Sequence, residues 1–87
     1  MKRELVPKPK REKEAPYLFK NRVREIRESK GMLRTELSRK VNVSYQTMYR
    51  LEREEFFPSL LLAHDVAYAL DRSIAQVFIF EKKEGMS

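Results

Sequence analysis

Eighty-seven residues are enough for one compact domain and too few for two. With no cysteine and a single histidine, His64, the chain offers neither a disulfide nor the ligands of a thiolate or histidine-cluster metal site. The formal charge of +6 is unevenly spread: residues 1–16 hold six basic and three acidic groups, residues 17–53 ten and four, and residues 54–87 three and six. A polyanion would therefore meet the middle block. Apolar side chains make up 41% of the chain, adequate for a helical or mixed core. No stretch approaches the ~20 apolar residues of a membrane span, and the first residues lack the apolar run of a secretory signal. These features predict a cytoplasmic protein without a membrane partner.

Residues 1–16 contain three prolines and nine charged side chains, too few apolar groups to offset the entropy of ordering. They are expected to form a flexible, basic arm, either a solubilising tail or a segment that tracks DNA phosphates. From Tyr17 the pattern turns helical. Phe19, Val23, Ile26 and Lys30 follow i, i+4, i+7, i+11, and Gly31 sits where a helix end needs a left-handed residue, so a first helix is predicted over roughly residues 18–30. Leu37, Val41 and Val43, then Met48 and Leu51, mark two short helices over 34–41 and 45–53. Asn42 tolerates the left-handed turn between them, Ser44 caps the second, and small Ser38 lets the pair cross closely. Two short helices joined by so tight a turn are the signature of a helix-turn-helix.

Pro58 and Ser59 break the chain and restart it. Leu60, Leu62, Ala63, Val66, Ala67, Ala69 and Leu70 predict a fourth helix, and Ser73 caps a short fifth with Ile74, Val77 and Phe78 turned inward. No hairpin signal stands out. The expected organisation is an arm (1–16), an all-α five-helix domain (17–80) and a charged tail (81–87).

Several of these segments resemble the lambda-repressor-like (Xre/Cro) helix-turn-helix family. Asn21 to Met32 looks like its opening helix, Thr35 to Val41 like its second, and Ser44 to Arg53 like its recognition helix. Pro58-Ser59-Leu60, Ala67 to Leu70 and Ser73 to Phe78 complete the order over about residues 19–80. The resemblance implies that helices 1, 4 and 5 pack behind a helix-turn-helix whose helix 3 enters the major groove; phage repressors and Cro are a standard example of that docking. It also implies an Arg27–Glu52 ion pair tying helix 1 to helix 3. Four positions depart from the family pattern: Leu33 where a capping side chain is usual, Arg34 where Gln is usual, and Glu54 and Glu55 where Gly and a basic or polar residue are usual, two carboxylates that would oppose phosphate binding.

With Met48 and Leu51 facing inward, a period of about 3.6 residues leaves Tyr45, Gln46, Tyr49, Arg50 and Arg53 on the opposite face. Gln46 can bond adenine N6/N7 and Arg50 guanine O6/N7 in bidentate fashion. Tyr45 and Tyr49 offer hydroxyls to phosphate and ring edges to a thymine methyl, while Arg34, Ser44 and Arg53 suit phosphates at the flanks. By family position, Arg34, Tyr45, Gln46 and Arg50 lead this set. The function expected is a sequence-specific regulator on double-stranded DNA, repressor-like. No nucleophile–base pair, metal spacing or phosphate loop is present, so neither catalysis nor a cofactor is expected; His64 is expected to pack half-buried in helix 4.

One rival stays open from sequence: a protein-interaction module, such as an antitoxin or adaptor, on the same fold. Leu61 and Tyr68, with Ile79 and Phe80, are candidates for an exposed apolar interface. As a self-interface it makes a homodimer, which supports reading two half-sites; as a hetero-interface it binds another protein.

Overall fold

The computed structural model describes residues 5–6 and 17–83. In chain order they form β1 (Leu5–Val6), β2 (Tyr17–Asn21), α1 (Val23–Ser29), α2 (Arg34–Lys40), α3 (Tyr45–Glu52), β3 (Phe57–Pro58), α4 (Leu60–Ala69), α5 (Ile74–Val77) and β4 (Phe78–Lys82). The expected all-α class is therefore corrected. Alongside the helices lie two two-stranded antiparallel sheets, β1 with β3 and β2 with β4. Apart from Leu5–Val6, the predicted 1–16 arm lies outside the described residues, as do residues 84–87 of the predicted tail.

The larger correction falls on the predicted first helix. Its opening residues are strand β2, which pairs Phe19 with Phe80 and Asn21 with Phe78, and the helix itself begins only at Val23. Inward placement of Phe19 satisfies a helical spacing and a strand alternation equally, because Leu18 and Lys20 on either side are exposed. What decides between them is the partner strand 61 residues on, and no local spacing reveals it. Phe78-Ile79-Phe80 is rich in aromatic and β-branched side chains, the types that suit a pleated, half-buried surface. The Arg22 N–H donates to Val77 O (2.8 Å), joining the start of α1 to the end of α5. Phe19 then packs edge-on against Phe57 (5.1 Å between centroids), parallel to Phe78 (5.9 Å) and tilted on Phe80 (4.9 Å). This aromatic cluster links the two sheets.

The core is a single set of apolar side chains drawn from every helix: Val23 and Ile26 of α1, Leu37 of α2, Met48 and Leu51 of α3, Leu62, Ala63, Val66 and Ala67 of α4, and Val77 of α5, with Val41, Phe56, Leu70 and Phe78 between or after them. Ser38 is buried where α2 meets α3, and its hydroxyl donates to Thr35 O (2.9 Å), so the small side chain allows close approach at no unsatisfied polar cost. Leu60, at the start of α4, stays exposed instead of joining the core, and Ile74 is 37% exposed at its edge.

Four helices end the same way. In each, the residue after the helix cap has positive φ (Gly31 66°, Asn42 57°, Glu54 61°, Asp71 57°). The next N–H reaches back five residues: Met32 to Arg27 O (3.0 Å), Val43 to Ser38 O (3.0 Å), Glu55 to Arg50 O (3.0 Å) and Arg72 to Ala67 O (3.0 Å). These are Schellman endings, which satisfy the last carbonyls and turn the chain sharply. One such turn, at Asn42, sets the angle between α2 and α3. Just beyond that turn, at the start of α3, Ser44 Oγ accepts from Thr47 N (3.0 Å), the predicted cap. Leu33 gives α2 no side-chain cap, and Glu36 reaches back to the Leu33 N–H instead (2.9 Å).

Candidate nucleic-acid interface

Helix α3 is held from three sides. Met48 and Leu51 are fully buried beneath it. Glu52, at its last turn, keeps a side chain only 2% exposed and takes Arg27 through both oxygens, Nε to Oε2 at 2.8 Å and Nη2 to Oε1 at 3.1 Å. Arg27 uses its remaining nitrogen on Met32 O (2.8 Å), the carbonyl after α1. The ion pair implied by the family pattern is thus present, buried and bidentate, the geometry in which Arg and carboxylate pair best. Asn21 supplies a third tie. Its Nδ2 donates to Leu51 O (2.9 Å), and its Oδ1 accepts from Val23 N (3.1 Å) at the start of α1.

The outward face of α3 carries Tyr45, Gln46, Tyr49 and Arg50, all exposed, with Ser44 and Arg53 exposed at its two ends. Arg34 joins them from α2, although only a fifth of its side chain is exposed. Its Nε donates to Glu52 Oε1 (3.0 Å) and its Nη1 to the Tyr45 hydroxyl (2.7 Å). The same guanidinium lies 5.5 Å from the Tyr45 ring centre and 5.2 Å from that of Tyr49. Burial works against the Arg34 charge, but its hydrogen bonds to Tyr45 and Glu52, and the attraction of both, raise its pKa above the ordinary arginine value. Arg53 closes the far side: its Nη1 donates to the Tyr49 hydroxyl (3.1 Å), and its guanidinium lies 5.4 Å from that ring.

Five of the seven residues singled out from the sequence are therefore linked in one chain, running from Tyr45 through Arg34, Tyr49 and Arg53 to Arg50, with Glu55 as the last link. Glu55 was not singled out as a partner for them. Its Oε2 accepts from Arg53 Nε (2.8 Å) and its Oε1 from Arg50 Nε (3.3 Å). Arg53 first and Arg50 second hold its carboxyl below the usual carboxylate range, while Glu55, followed by Tyr49, raises the Arg53 pKa. The Gln46 side chain makes no hydrogen bond among the described residues, and Ser44 spends its hydroxyl on Thr47, accepting from the N–H and donating to Oγ1 (2.9 Å). Glu54, the other acidic departure from the family pattern, points elsewhere: its Oε2 accepts from Asn21 N (2.8 Å).

Among the described residues no group of three His, Asp or Glu side chains is placed to hold a metal ion, and no helix is long and apolar enough to cross a membrane. His64 is not the half-buried packing residue expected. Its ring is 62% exposed and lies near Asp65 (Nδ1 to Oδ1, 3.2 Å) and roughly parallel to Tyr68.

An α2–α3 pair packed on its inner face, with an exposed polar, aromatic and basic face on its second helix, is the form of a DNA-reading helix-turn-helix. The family model of the Cro/C1-type helix-turn-helix DNA-binding domain matches residues 22–83. The chain belongs to that family. This Cro/C1-type domain is a non-enzymatic DNA-binding domain, as the family is. Among similar proteins is an uncharacterized HTH-type transcriptional regulator of Archaeoglobus fulgidus, 38% identical over 66 residues, which are 76% of this chain and 94% of the relative. Another of the same description, from Methanothermobacter thermautotrophicus, is 41% identical over 61 residues, 69% of this chain and 88% of the relative. The Bacillus subtilis uncharacterized regulator YgzD is 34% identical over 65 residues, 75% and 98% of the two chains. The matched part of this chain therefore spans 88% or more of the length of each of these relatives.

Proposed function

We propose that the chain is a sequence-specific regulator of transcription that lays α3 into the major groove of double-stranded DNA and acts in the compartment that holds it. The observation that carries this is the single exposed face of α3, where Gln46 and Arg50 project from a helix whose other side is locked by Met48, Leu51 and Glu52. Gln46 and Arg50 read base edges, adenine and guanine respectively. Tyr45 and Tyr49 present hydroxyls to phosphate; each already accepts from an arginine, which leaves its own proton free to be donated outward. Arg34 positions both tyrosines while lending charge, and Ser44 and Arg53 flank the face against phosphates.

Fluorescence anisotropy on duplexes drawn from random-sequence selection tests this. Affinity should fall steeply with salt, with a log–log slope of about −0.9 per phosphate neutralised. Gln46→Ala should relax preference at one base position by about 1–3 kcal/mol while leaving binding to other positions intact. A selected motif that is the same for wild type and Gln46→Ala removes Gln46 from the reading set.

The same regulator is proposed to act as a homodimer through the outer face of α4. Leu61 (61% exposed) and Tyr68 (80% exposed) stand seven residues, two helical turns, apart and so share one face. Ile79 and Phe80 are adjacent in β4 and point to opposite sides of the sheet, so at most one of them extends that patch. A strict monomer by light scattering at high concentration, with DNA binding retained, removes the dimer and turns the patch toward another protein.

A further inference from the structure

We propose that Glu55 is an internal stand-in for DNA: in the free protein it occupies Arg50 and Arg53, and a duplex must displace it to recruit them. This rests on the DNA-reading face described under Proposed function, and names a control on that same face.

The placement of Glu55 is set by the helix end and not by a loose loop. Its N–H donates to Arg50 O (3.0 Å) in the Schellman ending of α3, and the neighbouring Glu54 is anchored on Asn21 N (2.8 Å). The backbone of residue 55 is thus fixed, and only its side chain can swing. That side chain sets one carboxylate oxygen on the Nε of each arginine, at 3.3 and 2.8 Å, offering both guanidiniums an anion as a phosphate oxygen does. All three side chains are well exposed, at 61%, 59% and 38% for Arg50, Arg53 and Glu55, so water and a duplex reach them and the pairs are readily exchanged.

Two consequences follow from this competition. A duplex that offers phosphates alone exchanges one exposed anion for another and gains little from Arg50 and Arg53. A duplex with guanine at the right position offers Arg50 two acceptors in fixed geometry and recovers the loss. Glu55 therefore suppresses background binding more than it suppresses binding to the correct site. The carboxylates at 54–55, which look opposed to phosphate binding from sequence, then divide into one structural anchor and one gate.

The test is Glu55→Gln in the full chain, which keeps shape and removes charge at an exposed position. Anisotropy at low salt is measured on the best selected duplex and on a scrambled one, in the wild-type and Arg53→Ala backgrounds. Affinity for the scrambled duplex should rise roughly two- to five-fold, the range for an exposed ion pair, and rise less for the selected one. In the Arg53→Ala background the gain should shrink. Two results overturn the stand-in role: no gain on the scrambled duplex, or an equal gain on both duplexes that persists without Arg53, as from a distant charge. Wild-type protein that binds no duplex at all sinks the DNA-reading face itself, whereas wild-type binding with Glu55→Gln unchanged sinks only the gate.

Discussion

Glu52 accepts from Arg27 through both carboxylate oxygens and from Arg34 through one, while almost wholly withdrawn from water. Burying charges is costly, and what makes such a site tolerable is complete pairing. Glu52→Ala leaves two arginines facing a vacated pocket and should destabilise the domain by about 3–5 kcal/mol in urea unfolding. Arg24→Ala, which breaks only an exposed pair with Glu28, should cost less than about 1 kcal/mol; comparable losses from the two would contradict the buried hub. The Arg27–Glu52 pair was legible through the family pattern. The share taken by Arg34 was not, because Arg34 looks like a free phosphate contact until the neighbouring helix is in place. Its role has its own test. Arg34→Lys keeps the charge but loses the fork that grips Glu52 and Tyr45 together. If Arg34 positions the tyrosines, Lys should weaken binding to all duplexes nearly as much as Ala; if it only touches phosphate, Lys should retain most of the affinity.

At the scale of elements, the helix ends were only partly readable. Gly31, which has no Cβ, and Asn42, with its short amide, both suit positive φ, and both turns are legible at those residues. Glu54 and Asp71 adopt the same conformation with no such signal. Glu54 is retained there by its bond to Asn21 N, whereas the exposed Asp71 side chain makes no hydrogen bond among the described residues. Asp71→Gly should therefore stabilise the domain by about 0.5–1 kcal/mol, relieving the left-handed strain. Glu54→Gly should bring no such gain, because relief of φ is offset by the lost charged hydrogen bond. Thermal unfolding of the two variants decides, and a matching rise in both would contradict the anchoring of Glu54.

Across the whole molecule, the helix-turn-helix and its core face followed from local spacing, because each helix carries its own caps and apolar stripe. The sheets did not. β2 and β4 find each other only across nearly the full domain, and neither alternates cleanly enough to announce itself: Phe19 fits a helical stripe, and Phe80 looks like part of an exposed tail. Their pairing fastens the start of α1 to the end of α5 and so sets the frame behind the proposed reading helix α3. Phe78 is the buried member of that seam, 4% exposed and parallel to Phe19. Phe78→Ala should cost about 3–5 kcal/mol, whereas Ile79→Ala, at a half-buried position, should cost clearly less; equal losses would place the seam wrongly.

Which surface meets the duplex is measured most directly by titrating labelled protein with its selected DNA while following amide chemical shifts. The predicted result is that perturbations concentrate on residues 44–50, Arg34 and Arg53, with the outer face of α4 around Leu61 and His64 unaffected below the concentration of self-association. Perturbations centred on α4 with residues 44–50 silent would contradict it.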